Sequence, residues 1–174
     1  VLDVSVNAWH ERAGFSNGEF VRHRSNCHVA YNNVPHVGDY ANGKIYVFDL
    51  SVYTDDGQPQ KWLRSWRALP TGQNNLKRTV QHSLQIDMES GIGLVSGQGV
   101  NPQVMMRFSD DGGHTWSNEK WAEAGRLGEY QRRVFFRRLG MTTKLRDRVY
   151  ELSGTDPNKT VVMGAELILN GTNA

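Results

Sequence analysis

A single cysteine, Cys27, is all the thiol in this 174-residue chain. No disulfide can form within it, which excludes the small disulfide-stapled folds. A free cysteine of this kind is expected as a small buried hydrophobe, not a nucleophile. No apolar run approaches the roughly 20 residues that span a bilayer, and no signal peptide is recognisable at the start. The Ala/Leu/Glu/Lys-rich runs of helical proteins are missing too, and the one helical candidate, residues 119–124, is too short to matter. The chain begins at Val1 and not at Met. The expectation is one all-β region, 1–174, that is a piece of a longer chain.

Glycine is plentiful, at 18 residues, and short apolar runs recur between Gly, Asn and Asp, the pattern of antiparallel strands joined by tight turns. Residues 2–9 alternate and predict a strand, and 13–18 a loop. Strands follow at 27–31, 35–38, 44–50 (KIYVFDL) and 61–69, with turns at Asn32-Asn33, Asn42-Gly43 and Asp55-Asp56-Gly57. Four strands in about forty-five residues match one propeller blade. Residues 70–75 read as a linker, dividing the chain into sub-units of about 1–70 and 76–170. Residues 78–89 form the longest alternating run, with Val80, His82, Leu84, Ile86 and Met88 on one side. Further strands are expected at 104–108, 130–139, 148–153 and 161–169. The fold class is all-β with antiparallel sheets, read as blades of a β-propeller, with a β-sandwich as the alternative.

The most specific local pattern follows the strand at 104–108. Ser109, Asp111, Gly113, Thr115 and Trp116 spell S-x-D-x-G-x-T-W, the Asp-box. Asp side chains accept hydrogen bonds from nearby backbone amides, and Gly takes positive φ without steric cost. The motif holds a turn and does no chemistry.

Candidate chemistry is thin. His10-Glu11 lacks the second histidine of a zinc helix, because Gly14 stands in its place. The other histidines, His23, His28, His36, His82 and His114, show no ligand spacing. Asp55-Asp56 and Asp110-Asp111 each precede Gly and read as turn formers before calcium ligands. The glycines of 91–99 miss the dinucleotide spacing by one residue, and no helix follows. Asn158-Lys-Thr160 and Asn170-Gly-Thr172 satisfy the glycosylation sequon and are read as chance. No catalytic residue, metal ligand or cofactor site is assigned. A sialidase-like glycosidase, needing Arg, Tyr and Glu together, finds only Glu129, Tyr130, Arg132 and Arg137 crowded on one segment.

Charge is segregated. Between residues 126 and 148 stand eight basic and two acidic residues, a charge of +6, so the remainder carries −4. In YQRRVFFRRL, Arg132 and Arg133 are expected on opposite faces of a strand, as are Arg137 and Arg138. They read as contacts to a neighbouring subunit first, and to the backbone of double-stranded DNA second, because Val134, Phe135 and Phe136 between them call for burial.

Taken together, residues 36–57 (HVGDYANGKIYVFDLSVYTDDG), 99–117 (GVNPQVMMRFSDDGGHTWS) and 127–140 (LGEYQRRVFFRRLG) resemble the packaged-DNA stabilisation proteins of short-tailed phages, also called tail hub or nozzle proteins. The likeness runs from about residue 9 to 169, and it implies that this chain is the carboxy-terminal part of a longer protein. It implies a propeller-like fold and a non-enzymatic structural protein of the virion, made in the bacterial cytoplasm. It also implies a homo-oligomeric ring on the portal or adaptor ring, which closes the channel, retains the DNA and carries the spike or fibre and the needle, without membrane contact. The competing class is a carbohydrate- or receptor-binding module at the tail tip, with Trp62, Trp66 or Trp121 lining a groove.

Overall fold

A computed structural model describes residues 1–5, 7–68, 78–143 and 148–171, and divides the chain into two units, 1–61 and 62–174. The linker expected at 70–75 lies outside the described residues, as do Lys144, Arg146 and Asp147 of the basic segment.

The first unit is made of hairpins. Its strands are β1 (Leu2–Asp3), β2 (Ala8–Trp9), β3 (Ala13–Ser16), β4 (Glu19–Arg22), β5 (Ser25–Tyr31), β6 (Val34–Asp39), β7 (Ile45–Val47), β8 (Thr54–Asp55) and β9 (Gln58–Pro59). They pair as β1-β2, β3-β4, β5-β6-β7 and β8-β9, all antiparallel. Three reversals place both central residues at positive φ: Asn17-Gly18, Asn32-Asn33 and Asp56-Gly57. That is the turn whose twist suits a two-residue hairpin, and Asn, Asp and Gly tolerate it best. The strand expected over 2–9 folds back into the β1-β2 hairpin instead, and the loop expected over 13–18 contains β3. The Asn42-Gly43 reversal is closed by side chains, Asp39 accepting from the Ala41 amide and Asn42 from the Lys44 amide.

Little is buried here. Val37 is this unit's one buried apolar side chain among the described residues, whereas Trp9, Tyr31, Ile45 and Leu50 are exposed. Polar contacts do more of the tying. The Arg24 guanidinium sits among Asp39, Asp55 and Asp56, and Lys44 reaches Asp56 at 2.8 Å. Cys27, expected to be buried, is exposed on β5, a strand whose residues after Ser25 are all exposed.

The second unit is a sandwich. Its strands are β10 (Trp62–Arg67), β11 (Thr79–Met88), β12 (Gln103–Ser109), β13 (Lys120–Glu123), β14 (Val134–Met141), β15 (Val149–Gly154) and β16 (Val162–Gly171). One antiparallel sheet runs β10-β15-β12-β13 and the other β14-β11-β16. Leu84 and Ile86 of β11 and Val134, Phe136 and Leu139 of β14 pack against Val104 and Met106 of β12 and Tyr150 and Leu152 of β15. All nine are essentially buried.

The all-β, antiparallel reading holds, and of the two architectures it is the sandwich that is seen. A blade is a meander of strands consecutive in sequence. Here β10, the expected fourth strand of a blade with β5, β6 and β7, pairs with β15 instead. Successive strands mostly switch sheets, as in sandwiches generally. Residues 119–124 contain strand β13, not a helix. On β11 a bulge between Gln81 and Ser83 shifts the alternation, so Gln81, Leu84 and Ile86 face the core while His82 is exposed.

Candidate interaction surface

The two ends of the sandwich are built differently. At one end, the β12–β13 turn carries Ser109, Asp111, Gly113, Thr115 and Trp116. The Ser109 hydroxyl donates to Asp111 Oδ1 at 2.6 Å and accepts from the Gly113 amide at 2.8 Å. Asp111 also accepts from the Thr115 amide at 2.8 Å and the Thr115 hydroxyl at 2.6 Å. The Trp116 ring lies under the Arg107 guanidinium, 4.6 Å away. The Ser109 hydroxyl, then the Thr115 hydroxyl and amide, hold the Asp111 carboxyl well below the ordinary carboxylate range.

This depression has a pH consequence. A carboxyl with a lowered folded pKa contributes stability above its unfolded value, near 4, and loses it as pH falls through the folded value. Asp111→Asn should therefore lower the melting temperature at neutral pH. The gap from the wild type should shrink as the medium is acidified below about pH 4, a trend that thermal melts at several pH values will read.

The same end is locked by Arg148. Its Nε and Nη2 donate to the two oxygens of Asp110 at 2.6 and 2.8 Å. Nη1 donates to the Leu139 carbonyl at 2.7 Å and to Gln81 Oε1 at 3.5 Å, and Nη2 to the Met141 carbonyl at 3.3 Å. The guanidinium lies 4.2 Å from the Phe108 ring centroid, and the side chain is 2% exposed. Tyr150 hydrogen-bonds to Gln81, and burial pushes its phenol up to about 12. Arg148 was counted in the basic segment by sequence. Its charge is internal, and it presents nothing to a phosphate.

At the other end three loops meet: 89–102, 124–133 and 155–161. The Asn158 amide donates to the Ile92 carbonyl at 2.8 Å and the Gly99 carbonyl at 3.1 Å. The Gln98 amide donates to the Thr155 carbonyl, the Gly128 N–H to the Gly91 carbonyl, and the Ser90 hydroxyl to the Tyr130 carbonyl. Glycine makes this approach possible. A Cβ at Gly93 would lie 2.5 Å from the Val100 carbonyl oxygen and 2.8 Å from the Leu127 nitrogen. Asn158 of the first sequon is 6% exposed and holds these loops, so its amide is not offered to modification. A cavity beneath, touching Trp62, Asp156, Asn158 and Thr160, measures about 20 Å³. That is room for one water and too little for a sugar ring.

The four arginines are not arrayed as expected. Arg132 and Arg133 precede β14, in the 124–133 loop, so they do not take opposite faces of a strand. Arg132 pairs with Glu123, an exposed bridge of small worth. Arg137 lies over the Phe135 ring, 4.9 Å from its centroid. Arg138 has φ +58° and sits at a bulge opposite Gln81 and Ser83. Arg133, Arg137 and Arg138 are exposed, and no acid pairs with them among the described residues. Residues a glycosidase would gather are each held elsewhere: the Glu129 carboxylate accepts the Arg126 amide, and the Tyr130 ring lies beside Gly91. Trp62 and Trp66 pack on the core, while Trp121 of β13 is 60% exposed.

The second unit is thus a two-sheet module with one clamped end, one loop-built end and an arginine-bearing edge strand. Residues 61–169 match the family described as bacteriophage P22 Gp10, β-sandwich, and the chain belongs to that family. It is a phage structural protein of the tail type, a component of the virion. No curated protein matches the chain. The matched segment begins within one residue of the boundary between the two units.

Proposed function

We propose that the protein is a hub or nozzle subunit of a phage tail. In this reading it assembles as a homo-oligomeric ring on the portal or adaptor ring, closes the channel after packaging, retains the DNA, and carries the spike or fibre and the needle. The observation that carries the proposal is the β14 edge with its lead-in loop. It bears three exposed guanidiniums with no acid partner among the described residues, on a module whose buried Arg148 is fully engaged. Arginine forks suit carboxylates of a neighbouring subunit, or DNA phosphates without sequence preference.

A variant with Arg132, Arg133, Arg137 and Arg138 all changed to Ala should fold, each exposed change costing within about 0.5 kcal/mol. It should fail to join portal complexes, or yield heads that leak DNA. Normal assembly and DNA retention by this variant would remove the role proposed for β14.

A second reading, a carbohydrate- or receptor-binding module at the tail tip, is favoured by Trp121. Exposed on the edge strand β13 beside Met105, it offers an indole face to a sugar. Glycan-array binding that disappears in Trp121→Ala would support this reading, and a blank array would remove it.

A further inference from the structure

The outer strands of the two sheets are β10 and β13 in one, β14 and β16 in the other. An outer strand exposes unpaired N–H and C=O groups, and proteins blunt such edges with charge, bulges or short strands. β13 is four residues long, β10 carries Arg64 and Arg67, and β14 carries Arg137, Arg138 and its bulge. β16 is the exception. It runs for ten residues with Glu166 as its one charged side chain. Val162, Met163 and Ile168 on it are 40%, 64% and 58% exposed. Ala165 pairs with the buried Ile86 and so faces the core, yet it is exposed. A long edge with an inward residue left open is a template for one more strand.

The strand that fits it is on the other side of the same sheet. β14 and β16 are both antiparallel to β11, so they run in the same direction. A second copy in the same orientation can therefore lay its β14 beside β16 in parallel, as mixed sheets allow. Register fixes what would meet. Phe135 and Arg137 pair with Gln85 and Ser83, and Gly164 and Glu166 pair with Asp87 and Gln85. Those β11 residues alternate with the buried Leu84 and Ile86, so all four side positions lie on the face away from the core. Setting Arg137 beside Glu166 brings Phe135 beside Gly164 and the inward Phe136 beside Ala165. Each aromatic ring then meets a small residue, and the acid meets a base. Glu166 is exposed and has no basic partner among the described residues. A two-fold pairing of β16 with itself sets only uncharged residues or a second Glu166 opposite Glu166. It also closes a pair, whereas two unlike edges close a ring. The arginines and bulge of β14 turn away partners that lack an acid.

We infer that copies of this protein join by sheet extension. The stretch 134–137 of β14 in one copy pairs in parallel with β16 of the next, and Arg137 meets Glu166 of that next copy. The inference rests on the ring proposed above and names the strand and the carboxylate that the β14 edge meets.

The test is a charge exchange in the full-length protein, added to heads of the encoding phage matured without it, with bound copies counted after sedimentation. Arg137→Glu and Glu166→Arg should each lower the bound copies by about tenfold or more, because like charges then face each other across the seam. The variant carrying both changes should return close to the wild-type level, which also shows that neither change prevents folding. Amide exchange over residues 163–167 should slow when the wild-type protein assembles. Wild-type binding by both single variants would overturn the seam while leaving the tail-protein reading in place. Loss in the single variants without recovery in the double variant would also overturn it, and would give Arg137 another partner, such as DNA. Unchanged amide exchange over 163–167 would overturn the strand pairing. A wild-type protein that does not bind these heads would overturn both the seam and the tail-protein reading.

Discussion

Arg148→Ala is expected to destabilise the sandwich by about 3–5 kcal/mol, the cost of removing one partner from a buried ion pair. The reason lies in its donors. Five N–H groups meet Asp110, Gln81 and the Leu139 and Met141 carbonyls. Those contacts join the β12–β13 turn to β14 in the opposite sheet. Removing the guanidinium strands a carboxylate and two carbonyls together. Lysine keeps the charge but has one nitrogen with three donors, so Arg148→Lys should recover only part of the loss. Changing Asp110 to Asn in the Ala background should restore some stability, because the unpaired carboxylate is then gone. Urea unfolding of the three variants reads all of this. Equal stability of Arg148→Ala and wild type would show that the clamp contributes nothing.

Phe136→Ala is expected to cost a similar amount, about 3–5 kcal/mol. Phe136 is 2% exposed at the centre of β14, in register with Leu84, inside the layer shared by both sheets. Truncation leaves a cavity that the facing Met106 and Leu152 cannot fill without leaving their own positions. A change in the first unit should behave differently. Val29→Ala on β5 removes a side chain already 60% exposed, and should stay within about 0.5 kcal/mol. A loss below about 1 kcal/mol for Phe136→Ala would contradict the packing described for this layer.

What the sequence made legible was local. Asn32-Asn33 and Asp56-Gly57 announce hairpin turns through backbone chemistry alone, and they turn where expected. The same logic applied to Asn17-Gly18 would have placed the β3-β4 hairpin, which the absence of a clear alternating pattern concealed. Partner choice between distant strands was not legible. β10 looks like the next strand of the preceding meander, yet its partner β15 lies more than eighty residues on. Nothing in residues 61–69 encodes that choice before the sandwich core forms.

The same limit applies to the arginines. An even alternation assigned faces to Arg132, Arg133, Arg137 and Arg138, but β14 starts only at Val134 and is bulged at Arg138. Arg148 looked like one more surface cation, because its acid, Asp110, stands 38 residues earlier and was read as a turn former. The loop-built end was the least visible. Its three loops look ordinary in sequence, and only the hydrogen bonds of Asn158 and the close approach at Gly93 bring them together.

The chain is a phage structural protein of the tail type, and the proposal is that it works there through its β14 edge. Electron microscopy of the full-length protein assembled on its portal tests it most directly. The account predicts Arg133, Arg137 and Arg138 in a seam, against carboxylates of an adjoining subunit or the phosphates of the last packaged DNA. A reconstruction in which that strand faces open solvent on every copy would contradict it.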